Sequence, residues 1–93
     1  MKPVVILGSG EHAVVVIDIL QAMGVFDIIG CIADDTNPER LVFGVPIIGR
    51  MNRMATLADE GLSAAIGVGG WADNRDRARV YAQAVAAGVD VVT

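Results

Sequence analysis

The residues best suited to chemistry are a glycine-rich stretch near the start of the chain, Gly8-Ser9-Gly10-Glu11-His12. The stretch follows a short β-branched run at residues 4–7 (VVIL) and precedes a long apolar segment. A glycine turn between a strand and a helix lets the backbone approach a phosphate closely and directs free helix N–H groups towards it. We therefore predict a turn that binds a phosphate or a nucleotide.

The spacing Gly8-x-Gly10-x-x-Ala13 fits the loose dinucleotide fingerprint G-x-G-x-x-G/A, and Asp34 follows about 20–25 residues later, where a ribose partner is expected. The same glycines also occur in simple strand-to-helix turns, so the pattern does not decide between the two. No Gly-Lys-Ser/Thr follows the turn, which excludes a P-loop.

Asp34 and Asp35 end a second apolar run and provide carboxylates that act purely as hydrogen-bond acceptors. Either could accept from a ribose or a base, or both could belong to a solvated turn. His12 is the only histidine, and it could donate a hydrogen bond to a phosphate or a substrate group or lie exposed without a role. With no second histidine or cysteine nearby, we predict no metal site and no catalytic residue.

A third candidate segment spans residues 67–75 and contains glycines followed by Asn74 and Arg75. Three of the seven basic residues lie within five positions, at the start of a predicted helix. There they could bind an anion or form a solvated face paired with acidic neighbours. The residues that we predict to contact a substrate are Gly8, Ser9, Gly10, Glu11, His12, Asp34, Asp35, Gly67, Val68, Gly69, Asn74 and Arg75.

Alternating strands and helices must position these segments. The patterns predict strands at 4–7, 26–33, 45–48, 62–68 and from 89 onwards, a loop at 36–40, and helices at 11–23, 50–60 and from Asp73. Gly24 is expected to end the first helix and Asp73 to cap the last one. The predicted apolar faces of the last two helices are Met51, Met54, Ala55 and Ala58, and then Ala78, Tyr81, Ala84 and Val85.

This alternation predicts an α/β domain with a parallel, doubly wound sheet. Ligands of such sheets bind outside the carboxyl ends of the strands. The glycine turn, the two aspartates and the segment at 67–75 all follow strands, so the topology should bring them to one edge.

The composition limits the remaining possibilities. The 93 residues correspond to one domain, and a net charge of −4 argues against a partner that is nucleic acid. Cys31 is alone, so we expect a core thiol and no disulfide framework or zinc site. No apolar run reaches the roughly 18 residues of a membrane span, so we expect no membrane partner and a cytoplasmic location. The apolar fraction of 54% indicates either a sheet buried on both faces or a face covered by something else.

Five segments of the sequence together resemble the N-terminal domain of the bacterial sugar O-/N-acetyltransferases. This family includes the sialic-acid O-acetyltransferases and the bacillosamine N-acetyltransferases of pilin glycosylation. These pieces are VVILGSGEHAVVVIDIL, GCIADD, VFGVPIIG, AAIGVGGWADNRDR and AGVDVVT. No single piece is specific, but their order and spacing extend through nearly the whole chain.

The resemblance implies a small Rossmann-like, three-layer domain that binds a UDP-linked amino sugar. The glycine turn and His12 would lie near the pyrophosphate and the sugar, Asp34 or Asp35 would face the uridine, and residues 67–75 would line the other side. In the family, acetyl-CoA and the catalytic histidine belong to a following left-handed β-helix of hexapeptide repeats, which also forms the trimer. Residues 1–93 contain no such repeats, so the resemblance implies no cofactor in this chain and an inactive fragment.

Two departures from the family pattern bear on the ligand. Glu11 replaces the second glycine of Gly-x-Gly-Gly-His, and a carboxylate there stabilises the helix but repels a pyrophosphate. Gly69-Gly70-Trp71 stands where the family tends to carry Gly-Asp-Asn, with Asn74-Arg75 as a shifted equivalent. Two alternatives stay open: an NAD(P)-binding module of an oxidoreductase and an interaction domain without a ligand.

Overall fold

The apolar run that follows Met1 forms the central strand of a six-stranded sheet, in which Val4, Val5, Ile6 and Leu7 are completely buried. The computed structural model describes residues 1–68 and 75–92. The predicted cap at Asp73 and the candidate site residues Gly69 and Asn74 lie outside these ranges.

The sheet has the order β3-β4-β2-β1-β5-β6, and only the β3–β4 pair is antiparallel. This confirms the α/β, Rossmann-like prediction. The strands are β1 (Lys2–Leu7), β2 (Phe26–Ile32), β3 (Leu41–Val42), β4 (Val45–Gly49), β5 (Ser63–Ile66) and β6 (Val91–Val92); the helices are α1 (Glu11–Met23), a 3-10 helix (Met51–Thr56) and α2 (Arg75–Ala86).

Alternating residues of the strands build two hydrophobic cores, because successive side chains of a strand point to opposite faces. On one face Val4, Ile6 and Cys31 pack against Ile17 and other residues of α1. On the opposite face the 3-10 helix and α2 cover the sheet, with Val5, Leu7, Ile32, Met54, Leu57, Val80 and Ala84 in the core. The arrangement gives the three predicted layers.

The sequence predicted α1 with its observed bounds, and Gly24 ends the helix in the left-handed conformation with φ 70°. The interval between β2 and β4 differs from the prediction, because residues 41–42 add a short strand that pairs with β4. Phe43 and Gly44 connect the two strands with φ of 50° and 82°. Positive φ at both turn residues is the geometry of a tight two-residue hairpin.

Both predicted faces of the later helices were wrong in part. Residues 51–56 form a 3-10 helix with three residues per turn, so the inward positions are Met51, Met54 and Leu57 rather than Ala55 and Ala58. In α2 the buried residues are Val80 and Ala84, whereas Ala78, Tyr81 and Val85 are exposed.

The exposed apolar face of α2 borders a groove of about 710 Å³ between α1 and α2. Val15, Ile19 and Met23 of α1 and Tyr81 of α2 line it and are each about half exposed. The apolar excess of the sequence is therefore not fully buried in the sheet. Among the described helices none combines the length and the apolarity needed to cross a membrane.

Candidate functional site

The glycine turn, the two aspartates and the first residues of the third segment, Gly67 and Val68, meet at the carboxyl edge of the sheet, as the topology predicted. β1 lies between β2 and β5, so the glycine turn after β1 is flanked by the aspartates on one side and by Gly67 on the other. Backbone hydrogen bonds fix this arrangement: Gly8 donates to the carbonyl of Ile32 over 2.9 Å, and Gly67 donates to that of Leu7 over 2.9 Å.

The side of the turn that faces β5 is packed so closely that it excludes side chains. Gly8 has φ +124°, and a Cβ on it would lie 2.7 Å from the carbonyl oxygen of Gly67. A Cβ on Gly67 would in turn lie 2.8 Å from Ile6 Cγ2 and 3.0 Å from Ala13 Cβ. Gly8 therefore lets the turn approach the chain that follows β5, and the contact between Gly67 and Ala13 lets α1 approach the sheet.

The other side of the turn is open. Gly10 precedes α1 with φ −86° and ψ −163°, which any residue can adopt, and among residues 1–68 and 75–92 no atom outside its chain neighbours lies within 4 Å of the position of its absent Cβ. No side chain of these described residues caps the N-terminus of α1. Glu11 is exposed and His12 is partly buried. The first N–H groups of a helix have no partner within it, so this side of the turn can receive an anion.

Asp35 is held by hydrogen bonds from the protein itself. Its Oδ2 accepts hydrogen bonds from Ser9 Oγ over 2.6 Å and from two nitrogens of Arg40, while Oδ1 accepts from the N–H of Asn37 over 2.7 Å. Only 10% of the side chain is exposed. Three of these four bonds converge on Oδ2, and Oδ1 accepts only one.

Arg40 joins Asp35 to the glycine turn. Its Nη2 donates both to Asp35 Oδ2, over 2.7 Å, and to the main-chain carbonyl of Ser9. The hydrogen bonds from Arg40, then from Ser9 and Asn37, hold the pKa of Asp35 well below its ordinary value. We call Ser9, Asp35 and Arg40 the turn clasp.

The loop between Asp35 and Arg40 has the sequence needed to form this clasp. Asp35 binds the N–H two residues ahead, as aspartate does at the start of a turn. Pro38 then occupies the second position of a turn that is closed by a hydrogen bond from Arg40 N to the carbonyl of Asn37 over 3.2 Å. The two turns return the guanidinium of Arg40 to the carboxylate of Asp35.

Asp34 is the more accessible carboxylate of the pair, with 56% of its side chain exposed. Its Oδ1 accepts from the N–H of Met51 over 3.1 Å and lies 3.4 Å from Arg50 Nε. Asp34 thus has capacity for a further donor at the same edge of the sheet.

The remaining candidates lie on the β5 side of the turn. Val68 is partly buried beside Gly8, and Arg75 is an exposed residue at the first position of α2. Arg79 forms an exposed ion pair with Asp76 over 3.3 Å, as expected for a solvated face. Arg77 borders the groove between α1 and α2.

The sequence interpretation missed Arg40. The signal lay in the segment Asp35-Thr36-Asn37-Pro38-Glu39-Arg40, where an aspartate and a proline each favour a turn. Those residues predict that the loop folds back on itself. They do not predict that it also reaches Ser9, which is 31 positions away from Arg40 along the chain.

Comparisons with known proteins agree with this architecture. Residues 3–84 match the PglD N-terminal domain family. Among solved structures, a mutant perosamine N-acetyltransferase from Caulobacter crescentus, in complex with CoA and GDP-perosamine, is 34% identical with a TM-score of 0.77. The acetyltransferase domain of PglB from Neisseria gonorrhoeae, in complex with acetyl coenzyme A, is 27% identical with a TM-score of 0.78.

The match spans nearly all of this chain but a minor part of those proteins. It covers 96% of this chain and 40% of the perosamine enzyme, and 95% of this chain and 40% of the PglB domain. The comparison with curated proteins returned no match. Because the family match extends over most of the chain, the chain belongs to the PglD N-terminal domain family.

Proposed function

We propose that this chain is the domain of a sugar acetyltransferase that binds the nucleotide-linked sugar. The observation that carries the proposal is the open side of the glycine turn, where Gly10 leaves space in front of the uncapped N-terminus of α1. A diphosphate placed there would accept hydrogen bonds from the first N–H groups of the helix and benefit from its dipole.

The position of the turn in the sheet supports the same proposal. The chain leaves β1 towards β2 on one side and later places β5 on the other side of β1. A crevice forms where connections leave a sheet in opposite directions, and it is the usual ligand site of such folds. Ser9, Gly10, Glu11, His12 and Gly67 surround this point.

The proposed contribution to catalysis is positioning. A domain that holds the sugar fixes its acceptor group near a donor bound elsewhere, which removes much of the entropic cost of bringing the two together. We assign acetyl-CoA, the catalytic base and the trimer contacts to a hexapeptide-repeat domain of the full-length protein. The basis of this assignment is the family resemblance, together with the CoA and acetyl coenzyme A complexes of the two similar structures.

For the ligand we propose a nucleoside diphosphate amino sugar, with UDP as the carrier. Asp34 is the best-placed acceptor for a ribose hydroxyl or a base N–H, because it is exposed at the edge next to the turn. The perosamine enzyme binds GDP-perosamine, so guanosine is the principal alternative base. The family resemblance favours uridine.

A calorimetric titration of the 93-residue chain with UDP, UDP-N-acetylglucosamine, GDP, CMP and NAD tests the proposal. We expect UDP and its sugar to bind most tightly. Gly10→Ser should weaken that binding about tenfold or more, because its side chain enters the open space in front of α1. Serine is also a good helix cap, so the variant should stay folded.

The outcomes separate the proposal from its alternatives. Binding of GDP in place of UDP would keep the nucleotide-sugar function and change the base. Binding of NAD alone would favour an oxidoreductase module. No binding of any ligand, with the protein shown to be folded, would favour an interaction domain.

A further inference from the structure

We propose that Asp35 and Arg40 are positioning residues that hold the glycine turn in the shape required for binding, and that Asp35 does not contact the ligand. This inference rests on the proposed function for its effect on affinity. It concerns the turn clasp, in which three side chains from two distant segments meet at one carboxylate.

Asp35 is enclosed by its own donors. Three hydrogen bonds converge on Oδ2, one reaches Oδ1, and only 10% of the side chain is exposed, so little of the carboxylate is accessible to a ligand. Asp34, the adjacent residue in sequence, is 56% exposed. The two aspartates therefore have different roles despite their identical chemistry.

Ser9 takes part in the turn clasp through its side chain and its backbone. Its hydroxyl proton is donated to Asp35 over 2.6 Å, and its carbonyl accepts from Arg40. The side chain and the carbonyl of Ser9 are thus both held by the loop at residues 35–40. Because Gly10 follows directly and has the freedom of a residue without a side chain, these two bonds fix the orientation of the peptide that enters the binding turn.

The hydrogen bond from Ser9 to Asp35 determines which donors the turn can offer to a ligand. A serine in such a turn would normally offer its hydroxyl to a phosphate oxygen, but here the proton is committed to Asp35. The turn therefore presents backbone N–H groups to a ligand, and their direction depends on the clasp. A fixed array of donors binds more tightly than a mobile one, because less conformational freedom is lost on binding.

The chain offers a matched control in a second arginine with the same construction. Arg53 donates through Nη1 to the carbonyl of Ile48 over 3.0 Å and through Nη2 to Glu60 over 2.8 Å. It also bridges a carboxylate and a main-chain carbonyl, and it is about as exposed as Arg40. Its partners lie 5 and 7 residues away along the chain rather than in the glycine turn.

The experiment measures UDP affinity by calorimetry and backbone amide chemical shifts by NMR for the variants Arg40→Gln, Arg40→Lys, Ser9→Ala, Asp35→Asn and Arg53→Gln. We expect Arg40→Gln to weaken UDP binding about tenfold or more and to shift the amides of Gly8, Gly10 and Glu11. Arg40→Lys should fail to restore binding, because an ammonium lacks the planar fork that bridges both acceptors. Arg53→Gln should change neither quantity.

Two results would overturn the inference. The first is unchanged turn amides in folded Arg40→Gln, which would show that the clasp does not set the turn; this test needs no ligand and stays valid if the wild-type chain binds no nucleotide. The second is loss of UDP binding in Asp35→Asn with full binding in both Ser9→Ala and Arg40→Gln, which would make Asp35 a direct contact. Absence of UDP binding by the wild-type chain would instead count against the proposed function.

Discussion

The glycine turn after β1 has two sides that obey different constraints. On the side that faces β5, side chains at Gly8 and Gly67 would lie 2.7 Å and 2.8 Å from their nearest neighbours. On the outer side, Gly10 has ordinary backbone angles, and none of the described residues apart from its chain neighbours approaches the position of its absent Cβ within 4 Å. The absence of a side chain therefore has one physical reason at Gly8 and a different one at Gly10, although both glycines belong to the same motif.

The difference separates what the fold needs from what a ligand would need. Packing alone requires Gly8 and Gly67, whatever the chain binds. Packing does not require Gly10, and serine or aspartate would cap α1 at least as well. Under the proposed function, the missing side chain at position 10 leaves room for a ligand that approaches the backbone, whereas the fold itself explains the missing side chains at positions 8 and 67.

The largest effect that we expect on stability is that of Gly8→Ala. The new Cβ meets the carbonyl of Gly67, and φ of +124° is unfavourable for any L-residue with a side chain. Strain and overpacking together should lower the free energy of unfolding by about 2–5 kcal/mol, a large part of the 5–15 kcal/mol typical of a domain. Urea unfolding followed by circular dichroism measures the difference.

Gly10→Ser is the control for this prediction, since it adds a side chain two positions further on. Its free energy of unfolding should equal that of the wild type or exceed it by a few tenths of a kcal/mol, owing to the new helix cap. Equal destabilisation by Gly8→Ala and Gly10→Ser would contradict the distinction between the two sides.

Gly67→Ala should have the next largest effect and lower the free energy of unfolding by about 1–3 kcal/mol, because its Cβ presses α1 away from the sheet without adding positive-φ strain.

The reactivity of Cys31 reports locally on the contact between α1 and the sheet. Cys31 is buried in the core beneath α1, and burial raises the pKa of its thiol to about 11. Reaction with a disulfide reagent at pH 8 should be slow in the wild type and several-fold faster in Gly67→Ala. An unchanged reaction rate would show that the helix and the sheet tolerate the extra methyl group.

Local patterns predicted one part of the molecule well. A β-branched run, a glycine turn and an apolar segment closed by Gly24 gave the order of β1 and α1 and the bounds of α1. Strand alternation then gave the convergence of three segments at one edge, because the carboxyl ends of parallel strands must lie together. These inferences depend on neighbours in sequence or on topology.

Other parts could not be read from periodicity. Helix α2 carries two apolar stripes, one with Val80 and Ala84 and one with Ala78 and Tyr81, and periodicity does not reveal which one meets the sheet. The turn clasp joins Ser9 to residues 26 and 31 positions later, so no local pattern contains it. The different exposures of Asp34 and Asp35 depend on that contact and could not be predicted from local patterns either.

The pH dependence of the free energy of unfolding distinguishes the turn clasp from the Arg53–Glu60 ion pair, whose partners are close together in sequence. Hydrogen bonds from Arg40, Ser9 and Asn37 lower the pKa of Asp35, and those from Arg53 and Thr56 lower that of Glu60. A carboxyl with a lowered pKa in the folded state contributes stability above its unfolded pKa and loses it as the pH falls towards the folded value. In urea unfolding between pH 7 and pH 3, Asp35→Asn should therefore be most destabilising at pH 7 and progressively less so in acid.

Glu60→Gln should show the same sign with a smaller amplitude, since Glu60 is 36% exposed and Asp35 is 10% exposed. Solvent weakens the interactions of the more exposed carboxylate. A pH-independent effect of Asp35→Asn would mean that its destabilisation comes from lost packing rather than from the charged hydrogen bonds.

The smallest expected effect concerns Glu11, on the open side of the turn. Its carboxylate favours α1 through the helix dipole but opposes a diphosphate at the same place, so Glu11→Gln should act in opposite directions on folding and on binding. We expect stability to fall by about 0.3–1 kcal/mol. Affinity for UDP should rise about threefold at low salt, the effect of removing one like charge about 6 Å away in water.

Raising the salt concentration to 0.5 M should remove most of this gain in affinity, because exposed charges are screened over a few ångströms at that concentration. An affinity gain that persists at high salt would instead indicate that the Glu11 side chain blocks the turn sterically. Steric exclusion would then operate on the open side of the turn as well as at Gly8 and Gly67.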